Sequence, residues 1–331
     1  MENNYINDAL LGKISREQNV RIGQIRAVLE LIEGGATVPF IARYRKEVTG
    51  NLDEEQIRAI YQEWDYGQKL AARKEDVMRL IEEKGKLTDE IKMGIINATK
   101  LSEIEDIYRP FKEKKKTRAT DAKKKGLEPL AEYLLSFPLE GNVEEEASKY
   151  VTNLEGKTPE EIEAMKKEGV IVKNTAEAIQ GAKDIIAEMV SDEPKFRAWI
   201  RENFENEAKM KSEVKEDAVD EKKVYEMYYN YEEPLKTIKL HRILALNRAE
   251  DEKVVKVSIV EDYAKLLDHI TGEIVKAQDS ITAPYVKEAA QDGYDRLIKP
   301  AIVREIRGEL KDKAEDQAIN IFGENLKNYL L

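Results

Sequence analysis

Apolar residues recur at steps of three and four along most of this chain, the spacing that gathers them on one face of an α-helix. Ile22, Ile25, Val28, Leu29 and Ile32 predict a first helix over 18–33. Gly34-Gly35 end it, because glycine accepts the left-handed conformation of a helix C-terminus. Thr37 then caps a short second helix with Pro39 in its first turn, where a missing N–H costs little. On that helix Phe40, Ile41 and Tyr44 form an apolar anchoring face, and Gly50 turns the chain after it. Asp53 and Gln56 make a capping-box start to a long helix through Ile57, Ile60, Trp64, Leu70, Val77 and Ile81. Gly85 breaks that helix, and Thr88 caps the next, which carries Ile91, Ile95 and Ile96. A third runs over 101–108 until Pro110 stops it. Three helices on short turns across 52–109 have the layout of a helix-turn-helix-like unit.

Further along, helical spacing returns at 127–135 and at 175–190. Between 138 and 159 the pattern weakens into loops and short helices. The highly charged stretch 202–223 reads as an exposed helix or a mobile connection. Only VVKVSIV, 254–260, alternates in the manner of a strand. A last long helix begins near Pro284 and continues through Leu297, Ile302, Ile306, Leu310 and Ile319 to Leu326. The expected class is all-α, multi-helical, with the helix-turn-helix-like unit and one minor β element near 254–260. The expected organisation is a discontinuous helical region, 1–52 with 127–331, interrupted at 53–126 by the helix-turn-helix-like unit and its basic tail.

Composition narrows the function. Charged residues make up 37% of the chain, above the usual value of about 25%, which suits long solvent-facing helices. There is no cysteine, so thiolate metal sites, disulfides and Cys nucleophiles are excluded. MENNYINDAL lacks the basic and apolar regions of a secretory leader, and no apolar run reaches the roughly 18 residues of a membrane span. A cytoplasmic protein without membrane partners is expected. Net charge is −11, which by itself opposes polyanions. The exception is 111–125, where eight cations stand against Glu113 and Asp121.

Little here supports catalysis. His241 reads as a capping or packing residue at the start of a helix, and His269 as a partly exposed helix residue. Glu103, Glu105 and Asp106 are the densest carboxylate set, and a divalent ion accepts such oxygens. Among 66 acidic residues such neighbours arise by chance, so a solvated helix face is the favoured reading. No phosphate-binding loop, dinucleotide fingerprint, HExxH or EF-hand pattern occurs. No enzyme activity, cofactor or metal is expected, and a metal-dependent phosphodiesterase is the remote alternative. Two basic sets remain as candidate nucleic-acid-binding residues. One is Arg43, Arg45 and Lys46. The other is Lys112, Lys114, Lys115, Lys116, Arg118, Lys123, Lys124 and Lys125, with Thr117 and Thr120 as supplementary hydroxyl donors.

GGATVPFIARYRKEVTGNLDEEQIR, 34–58, resembles the N-terminal hallmark of the bacterial Tex transcription-accessory family. GKLTDEI (85–91), EDIYRPFKEKKKTRA (105–119), KGLEPLA (125–131), HRILALNRAE (241–250) and DGYDRLIKPAIVREIRGELKDKAE (292–315) follow in the family's order. The resemblance covers nearly the whole chain. It implies a helical N-terminal region without catalytic residues. In family members an RNase H-like domain, helix-hairpin-helix elements and a C-terminal OB-type RNA-binding domain come next, all beyond Leu331. Those parts are expected to carry most of the family's RNA or DNA binding, with the transcription machinery as a further partner. One departure is Ala249, where the family pattern implies a glycine turning the chain. The leading expectation is a non-catalytic scaffold with auxiliary phosphate contacts. The alternative is direct, sequence-independent DNA or RNA binding through 112–125.

Overall fold

The computed structural model describes residues 2–113 and 116–330, with side chains at 8–113, 116–319 and 321–323. It is mostly helical, with one small sheet. Packing divides the chain into two units, Met1–Phe111 and Lys112–Leu331. The helices before Asp53 thus belong to one unit with those that follow, up to Phe111. The reason lies in the helix Glu54–Glu83, which Asp53 caps by accepting from the Gln56 N–H at 2.8 Å. Its Ile57 and Ile60 fill the same core as Ile14, Ile25, Val28 and Ile41. Its other end, through Val77 and Ile81, makes a second core with Ile95 and Ile104 from the helices Asp89–Asn97 and Leu101–Tyr108.

Two details at the start of the chain differ from expectation. The helix predicted over 18–33 begins at Ile22, because Asn19 adopts φ +53° and ends a preceding helix, Glu2–Gln18. Asparagine tolerates that left-handed conformation better than most residues. Thr37 does occupy the N-cap of Val38–Tyr44, but its side chain makes no capping hydrogen bond.

The second unit is built around the helix Thr175–Asp192. Small residues on this helix, Ala178, Gly181, Ala182 and Ala187, admit close neighbours. At Gly181 a Cβ would collide with Leu127 and lie 3.2 Å from the Cβ of Ala122. At Gly293, on a neighbouring helix, a Cβ would stand 2.7 Å from the carbonyl oxygen of Ala187. The last helical stretch is therefore not uniform. Ala283–Asp292 widens into a π-helical turn, Gly293–Ile298, before Lys299–Leu330 resumes. Pro300 has no N–H to give to an i−4 carbonyl, and the wide turn stands immediately before it. Tyr294 in this turn donates to the Glu261 carboxylate at 3.0 Å, and the Lys299 ammonium lies 2.6 Å from the same oxygen. Burial, aided by Glu261, pushes the Tyr294 hydroxyl well above the ordinary phenol range.

The strand expected near 254–260 is β3, Val255–Val260, but it has companions. β1 (Lys209–Val214) pairs antiparallel with both β2 (Asn230–Pro234) and β3, in the order β2-β1-β3. The expected exposed helix or mobile connection over 202–223 is thus overturned at 209–214. It holds the end of the helix Pro194–Glu207 and the central strand. Ser212 stands inward beside Met210 and is buried because its hydroxyl donates to the Tyr228 carbonyl at 2.6 Å. A hydrogen-bonded serine at an inward position hides the strand's alternation. Ala249 is a second correction. It is buried in the helix Leu240–Asp251, and the turn expected there falls at Lys253, with φ +62°.

Replacing Gly293 by Ala overpacks a backbone crossing, which costs roughly 1–3 kcal/mol. Thermal unfolding of the second unit should fall by about 2–4 °C per kcal/mol. Gly272→Ala, a helical site where a Cβ meets nothing within 4 Å, should show no loss.

Candidate nucleic-acid interface

The basic segment is organised by a helix of its own, Arg118–Lys124. Thr117 caps it, accepting from the Thr120 N–H at 3.0 Å, while Thr120 Oγ1 accepts from the Thr117 N–H at 2.7 Å. The two hydroxyls also donate, Thr117 to Glu188 at 2.9 Å and Thr120 to the Thr117 carbonyl at 2.9 Å. Neither is left over as a phosphate donor, which corrects the sequence expectation. Ala119 and Ala122 are buried, and the helix packs on Thr175–Asp192. Its lysines are thereby turned outward.

The expected cations separate into groups. Lys116, Lys124 and Lys125 line a cleft of about 960 Å³. Lys112, Arg118 and Lys123 do not line it, and Lys123 lies 3.6 Å from Glu128. Lys114 and Lys115 lie outside the described residues. Lys125 serves structure as well as charge, because its ammonium meets Glu177 at 2.5 Å and ties this end of the segment to Thr175–Asp192. The Lys125 ammonium, and next the Lys173 backbone N–H, hold the Glu177 carboxyl below the usual carboxylate range.

The opposite wall supplies residues that sequence reasoning missed. Lys166, Lys167 and Lys173 line the same cleft. The first two stand in the last turn of the helix Pro159–Glu168, which Gly169 ends in the left-handed conformation, φ +73°. Carbonyls at a helix C-terminus favour cations there. Six lysines thus face Asp121, Glu168 and Glu177. Lys116 is 3.9 Å from Asp121 and Lys125 is paired. Among the described residues, Lys124, Lys166, Lys167 and Lys173 have no carboxylate within ion-pair distance. The only signal in the sequence was Lys166-Lys167 ahead of Gly169, about 40 residues from the segment it joins.

Arg43, Arg45 and Lys46 lie on the other packing unit, in and just after Val38–Tyr44. The anchoring face expected there is reduced to Ile41, which is fully buried. Phe40 and Tyr44 are 40% and 57% exposed, contrary to expectation, because the seven-residue helix turns only one side inward. Arg45 lies 5.1 Å above the Phe40 ring.

The remaining candidates do not form a reaction centre. Glu105 pairs with Arg73 at 2.6 Å, Glu103 accepts from the Thr99 N–H at 2.6 Å, and Asp106 is buried. Glu103 and Glu105 therefore serve separate partners. Among the described residues no three His, Asp or Glu side chains gather closely enough to hold a metal ion. His241 is exposed, neither capping nor packing, whereas His269 stacks on Trp199 at 3.7 Å between ring centres. Among the described residues no helix is long and apolar enough to cross a membrane.

Residues 8–82 match the model of the Tex-like protein N-terminal domain, and 143–322, over half the chain, match the model described as Tex central region-like. This chain belongs to the Tex family. It is 47% identical over 320 residues to the uncharacterized protein YdcI of Bacillus subtilis (strain 168), a match covering 96% of this chain and 42% of that protein. It is 30% identical over 326 residues to the transcriptional accessory protein Tex of Neisseria gonorrhoeae, covering 96% and 40%. Identity to the human S1 RNA-binding domain-containing protein 1 is 26% over 336 residues, covering 96% and 32%. The Tex-family chain thus spans about two fifths or less of the length of these curated relatives. Its segment 112–125 falls between the two matched stretches, whereas Lys166, Lys167 and Lys173 fall within the second.

A depressed carboxyl adds stability that is present above the unfolded pKa and is lost as pH falls through the folded one. For Glu177 that increment depends on Lys125. Lys125→Ala should therefore cost roughly 0.5–1 kcal/mol near neutrality. In urea unfolding the gap to wild type should narrow as pH falls below the usual carboxylate range and Glu177 takes up its proton in the folded state.

Proposed function

We propose that this Tex-family chain is a non-catalytic helical scaffold in a transcription-associated, nucleic-acid-binding protein of the cytoplasm, and that its lysine cleft contributes sequence-independent phosphate contacts. The observation that carries the reading is the cleft itself. Four lysines with no carboxylate within ion-pair distance among the described residues converge from two helices and a loop, in a chain whose net charge is −11. Lysines gathered in excess over carboxylates repel one another, and a bound phosphate chain relieves that repulsion while releasing its own counterions. Two relatives' names point the same way, one through transcription and the other through RNA binding.

Lysine ammoniums of this kind act as point charges. They hold a backbone in place but carry no base code. A reading through insertion of a recognition helix fits less well. Asp89–Asn97 and Leu101–Tyr108 are joined by a three-residue turn, as in a helix-turn-helix. The second helix, LSEIEDIY, carries three carboxylates and no cation, so a phosphate-lined groove would repel it.

Simultaneous Lys124→Glu, Lys166→Glu and Lys167→Glu should weaken binding to a labelled RNA by about tenfold or more at low salt. It should also reduce the slope of log K against log salt by roughly 2–3. Lys287→Glu, an exposed reversal outside the cleft, should change neither by a comparable amount. Equal slopes for the triple variant and the wild type would exclude the cleft as the contact.

A further inference from the structure

The sequence 37–50 holds a second surface with different chemistry. Val38–Tyr44 buries Ile41 and leaves Phe40 and Tyr44, one helical turn apart, with ring centres 5.3 Å apart and planes tilted by 44°. Neither ring is a stray exposed residue. The Arg45 guanidinium lies over one face of Phe40, and its Nη1 donates to the Tyr44 carbonyl at 2.9 Å, so the cation holds both the ring and the helix end. The turn beneath is held as well. Gln24 Nε2 donates to the Thr49 carbonyl at 2.9 Å, and Gly50, at φ +69°, leaves room for that amide. A Cβ at Gly50 would lie 2.7 Å from Gln24 Nε2.

Charge surrounds the rings. Arg43 and Lys46 are exposed, and among the described residues neither makes an ion pair. The stretch carries three cations and a single carboxylate, Glu47. Two outward ring faces bordered by free cations match a ligand that presents flat rings and negative charge together.

We propose that Phe40, Tyr44 and Arg45 form a stacking platform for the unpaired bases of single-stranded RNA, with Arg43 and Lys46 meeting its phosphates. A duplex keeps its base faces stacked internally and cannot offer them to Phe40 or Tyr44. An acidic peptide would satisfy the cations but leave the ring faces unused. The platform discriminates single strands from duplexes, which the lysine cleft does not. It lies on the other packing unit and does not depend on the cleft reading.

The test uses the full chain with a fluorescent single-stranded RNA and its duplex form, read by anisotropy. Phe40→Ala with Tyr44→Ala should weaken single-strand binding about tenfold or more, the scale of lost base stacking. Duplex binding and the salt slope should stay unchanged. Phe40→Leu with Tyr44→Leu, which keeps apolar area but removes ring faces, should lose as much, whereas Tyr44→Trp should keep wild-type affinity. Because both rings are exposed, thermal melting should match wild type in each variant. Wild-type single-strand affinity in the Leu variant would overturn the proposal. So would an equal loss of duplex binding, or single-strand binding undetectable in the wild type. The cleft reading fails separately, when the lysine reversals leave duplex binding intact.

Discussion

The Thr175–Asp192 helix can be approached as closely as it is only because no side chain stands where Gly181 and Gly293 meet their neighbours. Gly293 brings a second helix against the Ala187 carbonyl, and Gly181 admits Leu127 and Ala122. A backbone contact of this kind has no flexible group that can give way, so it fixes spacing more firmly than side-chain packing does. The consequences run outward from the axis of this helix. Glu188 receives the Thr117 hydroxyl and Glu177 receives the Lys125 ammonium, so both ends of the basic helix are tied to one rigid element. The loop that starts Thr175–Asp192 carries Lys173, which lines the facing wall of the cleft. Packing in the core and the placement of charge at the surface thus have one origin.

Electrostatics then explains why a strongly acidic chain presents a basic face. Many of its carboxylates and cations meet locally, in pairs such as Arg73 with Glu105, Arg242 with Glu233 and Lys265 with Glu207. Exposed pairs of this sort contribute little to stability, about 0–1 kcal/mol each. Their main effect is to cancel the field locally, around each pair. What remains is concentrated where lysines outnumber their partners. Within about one Debye length, roughly 8–10 Å in ordinary salt, a polyanion responds to that local excess rather than to the total.

How far this was legible from sequence differs by element. The capping pair Asp53 and Gln56, the helix Leu101–Tyr108 and the strand at 255–260 follow from local rules and stand where those rules put them. β1 was hidden because one of its inward positions is Ser212, whose burial depends on a carbonyl from Tyr228, sixteen residues away. Polarity read along the chain cannot register a partner of that kind. The π turn was hidden because its hydrogen bonds shift by one residue without altering the apolar spacing. The cleft was half legible. Lys124 and Lys125 stood out in a dense run, whereas Lys166, Lys167 and Lys173 belong to it only through the packing around Thr175–Asp192. In the segment 37–50 residue types alone suggested an apolar anchor. The direction of one short helix decides that Phe40 and Tyr44 point outward instead.

We propose that two walls far apart in sequence act as one phosphate-binding surface. Hydrogen exchange of the full chain with and without saturating RNA tests it most directly, because it reports each wall separately. RNA binding should slow amide exchange both in Arg118–Lys124 and in the stretch 166–173, with the sheet β2-β1-β3 unchanged. Protection of one wall without the other, or protection confined to the sheet, would contradict it.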